Sequence, residues 1–112
     1  MTKSLVRPPS EYVGNISREA AASFRDLRSA LVKSGPLDST TCELIVVSGF
    51  AVQGFEDAFK SHSARLLQSS TPKETIQQAV LVTLGTTAAV FQVARALQWL
   101  DETEAEVKAV QA

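Results

Sequence analysis

The sequence predicts an all-α protein, built as a bundle of about five helices. Along most of the chain, apolar residues recur at intervals of three and four, which is the period of an amphipathic helix. Capping residues precede these stretches, and glycine or proline follows several of them. No convincing stretch shows the strict alternation that is typical of a half-buried strand. The short connections favour antiparallel neighbouring helices.

Residues 1–16 are predicted to form an extended N-terminal arm, because Pro8 and Pro9 interrupt any helical pattern there. The rest of the chain, residues 17–112, is expected to be a single domain, given its length. Its first helix begins at Ser17, whose hydroxyl can cap it. Helical spacing groups four apolar residues of this helix: Phe24, Leu27, Leu31 and Val32.

The second helix, residues 38–54, is strongly apolar. Asp38, Ser39 and Thr40 are all possible caps, and Thr40 with Glu43 fits the capping box, in which the Glu side chain returns to the cap amide. The stretch "LIVVSGFAV" that follows is apolar nearly all round, which predicts burial on most sides. So small a bundle has too little core to cover this surface, and we therefore expect a homo-oligomer.

The third helix, residues 55–70, carries the single histidine of the chain on its apolar side. Glu56 and Lys60 lie elsewhere on this helix and can pair at i,i+4. At about 100° per residue, one stripe of the helix contains Phe55, Ala58, Phe59, His62 and Leu66.

The fourth helix has the clearest start signal, with Thr71 at the cap, Pro72 at the first helical position and Glu74 at the third. A glycine ends it, and the fifth helix follows at residues 86–110. The charged tail after Asp101 is expected to face solvent. The apolar seam of the fifth helix contains Val90, Val93, Ala94, Leu97 and Leu100.

The composition argues against several functions. The chain has 112 residues, a hydrophobic fraction of 45%, a net charge of −1 and no basic run, so no partner of nucleic acid type is expected. No apolar run reaches the roughly 18 residues of a membrane span, and no secretory signal is recognisable, so a cytoplasmic location is the default expectation. Cys42 is the single cysteine, and we interpret it as a small buried apolar residue.

Glu43 and His62 are the two titratable residues in apolar surroundings. Burial favours the neutral form of an ionisable group, which suits acid–base chemistry near neutral pH. If the second and third helices pack as a hairpin around Gly54, both side chains face one cavity. Alternatively, Glu43 caps its own helix and His62 is a structural residue that donates to a backbone carbonyl.

No cofactor and no metal are predicted. The chain has no glycine-rich phosphate loop, no nucleophile elbow and no pair of metal ligands on one helix face. A metal site formed by Glu43 and His62 of adjacent subunits would have too few ligands to be stable.

From about residue 20 to residue 100 the chain resembles the carboxymuconolactone decarboxylase and alkylhydroperoxidase D family. The similar segments are "FRDLRSALVKSGPLD", "ELIVVSGFAVQG", a helix whose signature ends in His62, and "TPKETIQQAVLVTLGTTAAVFQVARAL". That family is all-α, and its short members assemble as trimers or hexamers with active sites near the subunit contacts. The resemblance therefore implies a homo-oligomer of three or six chains.

In the peroxidase branch of this family, the signature helix carries Cys-x-x-Cys, with a histidine after it and a glutamate before it. In this chain the glutamate matches Glu43 and the histidine matches His62, whereas Phe55 and Ala58 occupy the two cysteine positions. Neither residue can attack a peroxide or form the resolving disulfide. The resemblance therefore argues against a thiol peroxidase.

The decarboxylase branch lacks the cysteine pair, keeps the histidine and needs no cofactor. Resemblance to it implies a lyase that acts on a small organic acid or cyclic carbonyl compound, with His62 as acid or base and Glu43 orienting it or relaying the proton. Contacts with the substrate are then expected from Phe55, Ala58, Phe59 and Arg65. The alternative is a degenerate member that binds a small molecule or a protein partner and catalyses nothing. A residual antioxidant role is a further possibility.

The purified protein is predicted to consume no peroxide when a dithiol donor is supplied, because Phe55 and Ala58 replace both sulfurs of the redox pair. Loss of hydrogen peroxide and of an alkyl hydroperoxide should match the rate without protein. Cys42→Ser is the control for the one remaining thiol and should give the same result. Peroxide consumption that this substitution abolishes would contradict the prediction.

Overall fold

In the computed structural model, which describes residues 10–111, the chain folds into helices and turns. This confirms the predicted all-α class, and within the described residues the β interactions amount to one isolated bridge, between Leu84 and Ala88. None of the helices in this range is both long enough and apolar enough to cross a membrane. The helices are α1 Ser10–Ile16, α2 Arg18–Val32, α3 Ser39–Gln53, α4 Glu56–Gln68, α5 Lys73–Leu81 and α6 Val90–Gln111.

Helix α1 shows that the predicted extended arm is wrong for residues 10–16, while residues 1–9 lie outside the described part of the chain. The two prolines that prompted the prediction precede this helix, and proline is compatible with the start of a helix. Helix α1 packs against α2, where a Cβ on Gly14 would lie 3.5 Å from the Cβ of Ala21. A small side chain at position 14 would therefore make an ordinary van der Waals contact with Ala21.

Helices α2 and α3 start where side chains reach free amides. The hydroxyl of Ser17 accepts a hydrogen bond from the amide of Ala20 at 3.1 Å, as predicted. Asp38 caps α3 by accepting from the amide of Thr41 at 2.7 Å. Because Asp38 takes this position, the capping box with Glu43 does not form, and the Glu43 side chain is left for another partner.

The start of α5 differs from the prediction by one residue. Pro72 occupies the cap position without a side-chain hydrogen bond, and the helix begins at Lys73. The amide of Thr71 is bonded instead to the carbonyl of Leu66, which closes the preceding turn. Helix α5 ends at Leu81, so the segment predicted to continue the helix forms turns before α6.

The core lies between α3, α4, α5 and α6, with α4 and α6 sharing the largest contact. Phe59 of α4 is fully buried and packs against Trp99 of α6, with ring centroids 5.8 Å apart. Removing a buried aromatic side chain of this kind costs about 3–5 kcal/mol. The other large side chains that are fully buried in this core are Val47, Ile76, Val80 and Leu100.

Helix α6 only partly follows its predicted seam. Val93 and Leu100 are buried, but Val90 and Ala94 are exposed. The charged tail also has a buried side, because Thr103 is fully buried and Val107 is nearly so. The helix therefore packs along its length, and only the remaining faces of the tail point to solvent.

Two lysines connect α4 and α5 to α6. Lys60 lies 2.9 Å from Glu56, the predicted i,i+4 pair, and 2.6 Å from Glu102 of α6. Burial opposes the charge on Lys60, but the two carboxylates outweigh it and raise the pKa of the lysine. Lys73 of α5 makes a similar bridge to Asp101, at 2.6 Å.

Helix α2 contributes little to this core. The stripe predicted from helical spacing exists, but Phe24, Leu27 and Leu31 are each about half exposed. The extensive contact of α2 is with α1 rather than with the four core helices. A stripe of large apolar residues on α2 therefore remains open to solvent in the protomer.

The turn between α3 and α4 depends on Gly54. This residue has φ 78° and ψ 27°, a left-handed conformation that side chains disfavour, and its amide donates to the carbonyl of Phe50 at 2.9 Å. The guanidinium of Arg95 covers the position, since a Cβ on Gly54 would lie 2.6 Å from its Nη2. The backbone conformation thus favours glycine, and any larger residue would also have to displace the end of the Arg95 side chain.

Gly54→Ala is predicted to lower the free energy of unfolding by about 1–3 kcal/mol, because it strains the turn and displaces Arg95. Gly49→Ala is the matched control within α3, where a Cβ would meet nothing within 4 Å. That substitution should stabilise the protein by about 0.5–1 kcal/mol through helix propensity. Urea denaturation measures both, and equal effects would contradict the role of the turn.

Candidate active site

The α3–α4 hairpin brings Glu43 and His62 into direct contact. An oxygen of the Glu43 carboxylate, Oε1, bonds to Nδ1 of the His62 ring. The side chains are 24% and 21% exposed, so the pair is partly shielded but reachable from solvent. The hairpin expected around Gly54 therefore forms and joins the two residues.

The Glu43 side chain is charged, contrary to the neutral form expected from burial. Burial acts to raise its pKa, but the hydrogen bond and charge of His62, followed by the charges of Arg65 and Arg28, outweigh burial and hold the pKa below its ordinary value. An ionised carboxylate only accepts hydrogen bonds, so Nδ1 of His62 carries the hydrogen and donates it. A neutral ring then has its lone pair on Nε2.

Arg65 covers one face of the His62 ring. Its Nη2 lies 2.8 Å from Nδ1 and 3.0 Å from Nε2. The in-plane directions of the two ring nitrogens diverge, so a single atom this close to both lies over the ring face rather than in line with either. The same Nη2 is 3.7 Å from Oε1 of Glu43, which adds a second positive group beside the carboxylate.

Aromatic side chains surround the rest of the ring. The Phe50 ring is 5.0 Å from the His62 ring, centroid to centroid, at an angle of 55°. Phe50 in turn contacts Phe55, at 6.1 Å between centroids. The imidazole is therefore held by a carboxylate at one nitrogen, a guanidinium over a face and a phenyl ring beside it.

These residues line an open cleft of about 990 Å³ between α2, α3 and α4. The cleft is large enough for a small organic molecule. Its charged groups are mostly cationic, with three arginines and one glutamate. The lining residues that carry the argument are Arg25, Arg28, Glu43, Phe55, His62 and Arg65.

The predicted site residues fall into two groups. Phe55 and Arg65 line the cleft together with the Glu43–His62 pair. Phe59 does not, because its side chain is fully buried in the core against Trp99. Ala58 is partly buried and is not among the lining residues either. Helical spacing placed Phe59 and Ala58 on the same stripe of α4 as His62. In the structure this part of the stripe is turned towards the core rather than towards the cleft.

Phe50, Arg25 and Arg28 are among the lining residues that sequence reasoning missed. Arg25 and Arg28 lie one turn apart on α2, so their shared side of the helix was visible in the sequence. What the sequence lacked was any sign that this side of α2 faces α3. Phe50 was hidden within a helix that is apolar nearly all round.

Cys42 takes no part in the cleft. It is partly buried, and its Sγ lies 3.9 Å from the carbonyl oxygen of Leu37. Within residues 10–111, no group of three or more His, Cys, Asp or Glu side chains is arranged to hold a metal ion.

A sequence model of the carboxymuconolactone decarboxylase family matches residues 18–102. The match spans most of the chain and runs from α2 into α6, so it includes every residue of the cleft described above. The chain therefore belongs to the carboxymuconolactone decarboxylase family. Comparisons with curated proteins and with solved structures gave no significant match.

Glu43→Gln is predicted to lower the free energy of unfolding by about 1–2 kcal/mol at neutral pH, because it removes the charge from the bond to His62. The folded pKa of Glu43 lies below its ordinary 4.5, so its contribution is complete above that pH and is lost as pH falls through the folded pKa. The difference between wild type and variant should therefore shrink in acid.

Urea denaturation between neutral pH and pH 3 measures this difference. Asp26→Asn is the control, since it removes one carboxylate from an exposed position on α2. Its effect should be small and nearly constant across the series. A difference for Glu43→Gln that stays constant into acid would contradict the assigned charge.

Proposed function

We propose that the protein is a cofactor-independent enzyme that decarboxylates or isomerises a small organic acid or cyclic carbonyl compound by proton transfer. The observation that carries this proposal is the state of the His62 ring. Nδ1 is bonded to the charged Glu43, while Nε2 belongs to a residue that lines the cleft and has the guanidinium of Arg65 as a polar neighbour at 3.0 Å. This is the arrangement of a general acid–base whose orientation is set by a carboxylate.

In the proposed reaction, the bond between the substrate carbon and its carboxylate breaks, and the electron pair passes into the adjacent carbonyl as an enolate. The carboxylate leaves as carbon dioxide. His62, which takes up a proton from solvent at Nε2 in each turnover, then donates that proton to the carbon. Glu43 stabilises the positive ring before the transfer, and the guanidinium of Arg65 stands near the developing negative charge. All atoms and electrons of the step come from the substrate and the protonated His62.

Membership of the family supports the general class of this proposal. The residues of the cleft support the proposed type of substrate and reaction. The cleft has apolar walls from Phe50 and Phe55, which lower the local dielectric and strengthen electrostatic effects on the reacting group. A substrate of modest size and partly apolar character fits these walls.

A second candidate function is binding without catalysis, of a small molecule or of a protein partner. The observation that favours it is the position of Arg65, whose guanidinium lies 3.0 Å from Nε2, the ring nitrogen that a substrate would have to reach. The apolar Phe55, about half exposed at the cleft, also suits a binding surface. The two candidates differ in whether turnover depends on His62.

We further propose that the protein functions as a homo-oligomer of three or six chains. The support is the open stripe of Phe24, Leu27 and Leu31 on α2. Such a stripe is costly in water, and a second copy would cover Leu27 and Leu31, the two of these residues that do not line the cleft.

His62→Gln is predicted to abolish turnover while leaving the assembly unchanged and costing no more than the roughly 1–2 kcal/mol of Glu43→Gln. The ring is part of the cleft rather than of the core, and the glutamine amide can still donate a hydrogen bond to Glu43. A panel of lactone acids, including carboxymuconolactone, and cyclic keto acids tests this, with released carbon dioxide as one readout. Exchange of substrate C–H hydrogens with deuterium from solvent, followed by NMR, is the second readout and detects proton transfer without decarboxylation.

Cys42→Ser is the control and should keep full activity. Turnover that survives His62→Gln would contradict the proposed acid–base role. Loss of both stability and assembly in that variant would show that His62 is structural. Absence of any reaction across the panel, with intact binding, would favour the second candidate.

A further inference from the structure

Two arginines on α2 face the cleft without a carboxylate partner. Arg25 and Arg28 both line it, and neither forms an ion pair with any residue among those described, 10–111. They are three positions apart, which places them on one side of α2. Their charges are therefore directed to the same region, where the attraction between Arg28 and Glu43 acts without a direct ion pair.

The remaining charges of the cleft already balance one another. Glu43 is bonded to His62 and lies 3.7 Å from Arg65. This carboxylate is thus committed to the His62 side of the cleft. The two α2 guanidinium groups add two positive charges, and like charges brought together favour an anion between them.

Arg65 was expected to contact the substrate, but its position gives it another role. Its Nη2 covers the face of His62 and lies near Glu43. A guanidinium engaged in this way has fewer free N–H groups for a ligand. Recognition of an anion therefore falls to the opposite wall of the cleft, on α2.

Aromatic side chains line the same cleft as the two arginines. Phe24 of α2, Phe50 of α3 and Phe55 at the α3–α4 turn are all lining residues. Phe24 and Phe55 are about half exposed, so their rings are available to a ligand. Such walls suit a flat, apolar body rather than a bare inorganic anion.

We propose that Arg25 and Arg28 bind the carboxylate of an aromatic or unsaturated cyclic acid, whose ring lies against the aromatic walls of the cleft. The planar fork of each guanidinium matches the two oxygens of a carboxylate. This proposal rests on the proposed function only for the proton transfer at His62 that would follow binding. Binding of the acid itself requires no reaction.

Titration calorimetry with benzoate, and with its uncharged analogue benzamide, tests the proposal on the full chain. Arg25→Gln with Arg28→Gln should weaken benzoate binding by roughly 10- to 100-fold, as expected for charge-assisted hydrogen bonds, and should leave benzamide binding unchanged. Arg25→Lys with Arg28→Lys keeps the charge but loses the planar fork of the guanidinium. Its affinity for benzoate should lie between that of the wild type and that of the glutamine pair.

The matched control is Arg18→Gln with Lys33→Gln, which removes two positive charges from exposed positions at the ends of α2 that do not line the cleft. It should bind benzoate like the wild type. Equal weakening in the control pair, equal affinity of the wild type for benzamide and benzoate, or no binding of benzoate at millimolar concentration would each overturn the proposal.

His62→Gln separates this inference from the proposed function. That variant should still bind benzoate, and adding Arg25→Gln with Arg28→Gln to it should weaken the binding as in the wild type, because the carboxylate site lies on α2. If it also retained turnover, the acid–base role would fail while the carboxylate site stood. If the α2 variants bound benzoate normally while His62→Gln abolished turnover, the carboxylate site would fail alone.

Discussion

The reversal of the chain at Gly54 is the constraint on which the site depends. A left-handed residue at this point turns α3 back along α4, and the antiparallel hairpin then sets Glu43 against His62. Phe50, near the end of α3, reaches the His62 ring through the same turn. Arg95 closes over the glycine from α6, so the hairpin is tied to the core.

The state of the Glu43 charge follows from a competition that the hairpin creates. Partial burial opposes an ionised carboxylate, and an unpaired charge in such a place would be strongly unfavourable. A hydrogen bond from His62 and the positive charges of Arg65 and Arg28 outweigh that opposition. The carboxylate thereby fixes which ring nitrogen of His62 carries the hydrogen, and the chemistry available at the other nitrogen follows.

The cleft joins two parts of the protein with different degrees of packing. Its floor, α3 and α4, belongs to the core that Phe59 and Trp99 fill. Its opposite wall, α2, packs mainly on α1 and keeps Phe24 half exposed. The acid–base pair thus lies on helices of the packed core, whereas the proposed carboxylate site lies on α2, whose apolar stripe is exposed in the protomer. Ligand binding and assembly therefore concern the same helix.

The sequence by itself determined the all-α class, the cap at Ser17, the i,i+4 pair of Glu56 and Lys60 and the hairpin, because these depend on local spacing and on one glycine. Local sequence signals gave wrong predictions in two places. Neighbouring residues could both cap α5, and the stretch before α2 forms helix α1 instead of an extended arm. Only the tertiary structure decided which helix faces pack against one another. It placed Phe59 in the core, left the α2 stripe exposed, kept Glu43 charged and directed Arg25 and Arg28 into the cleft. Each of these outcomes depends on contacts between helices that are distant in the chain. The spacing of residues along a single helix cannot predict such contacts.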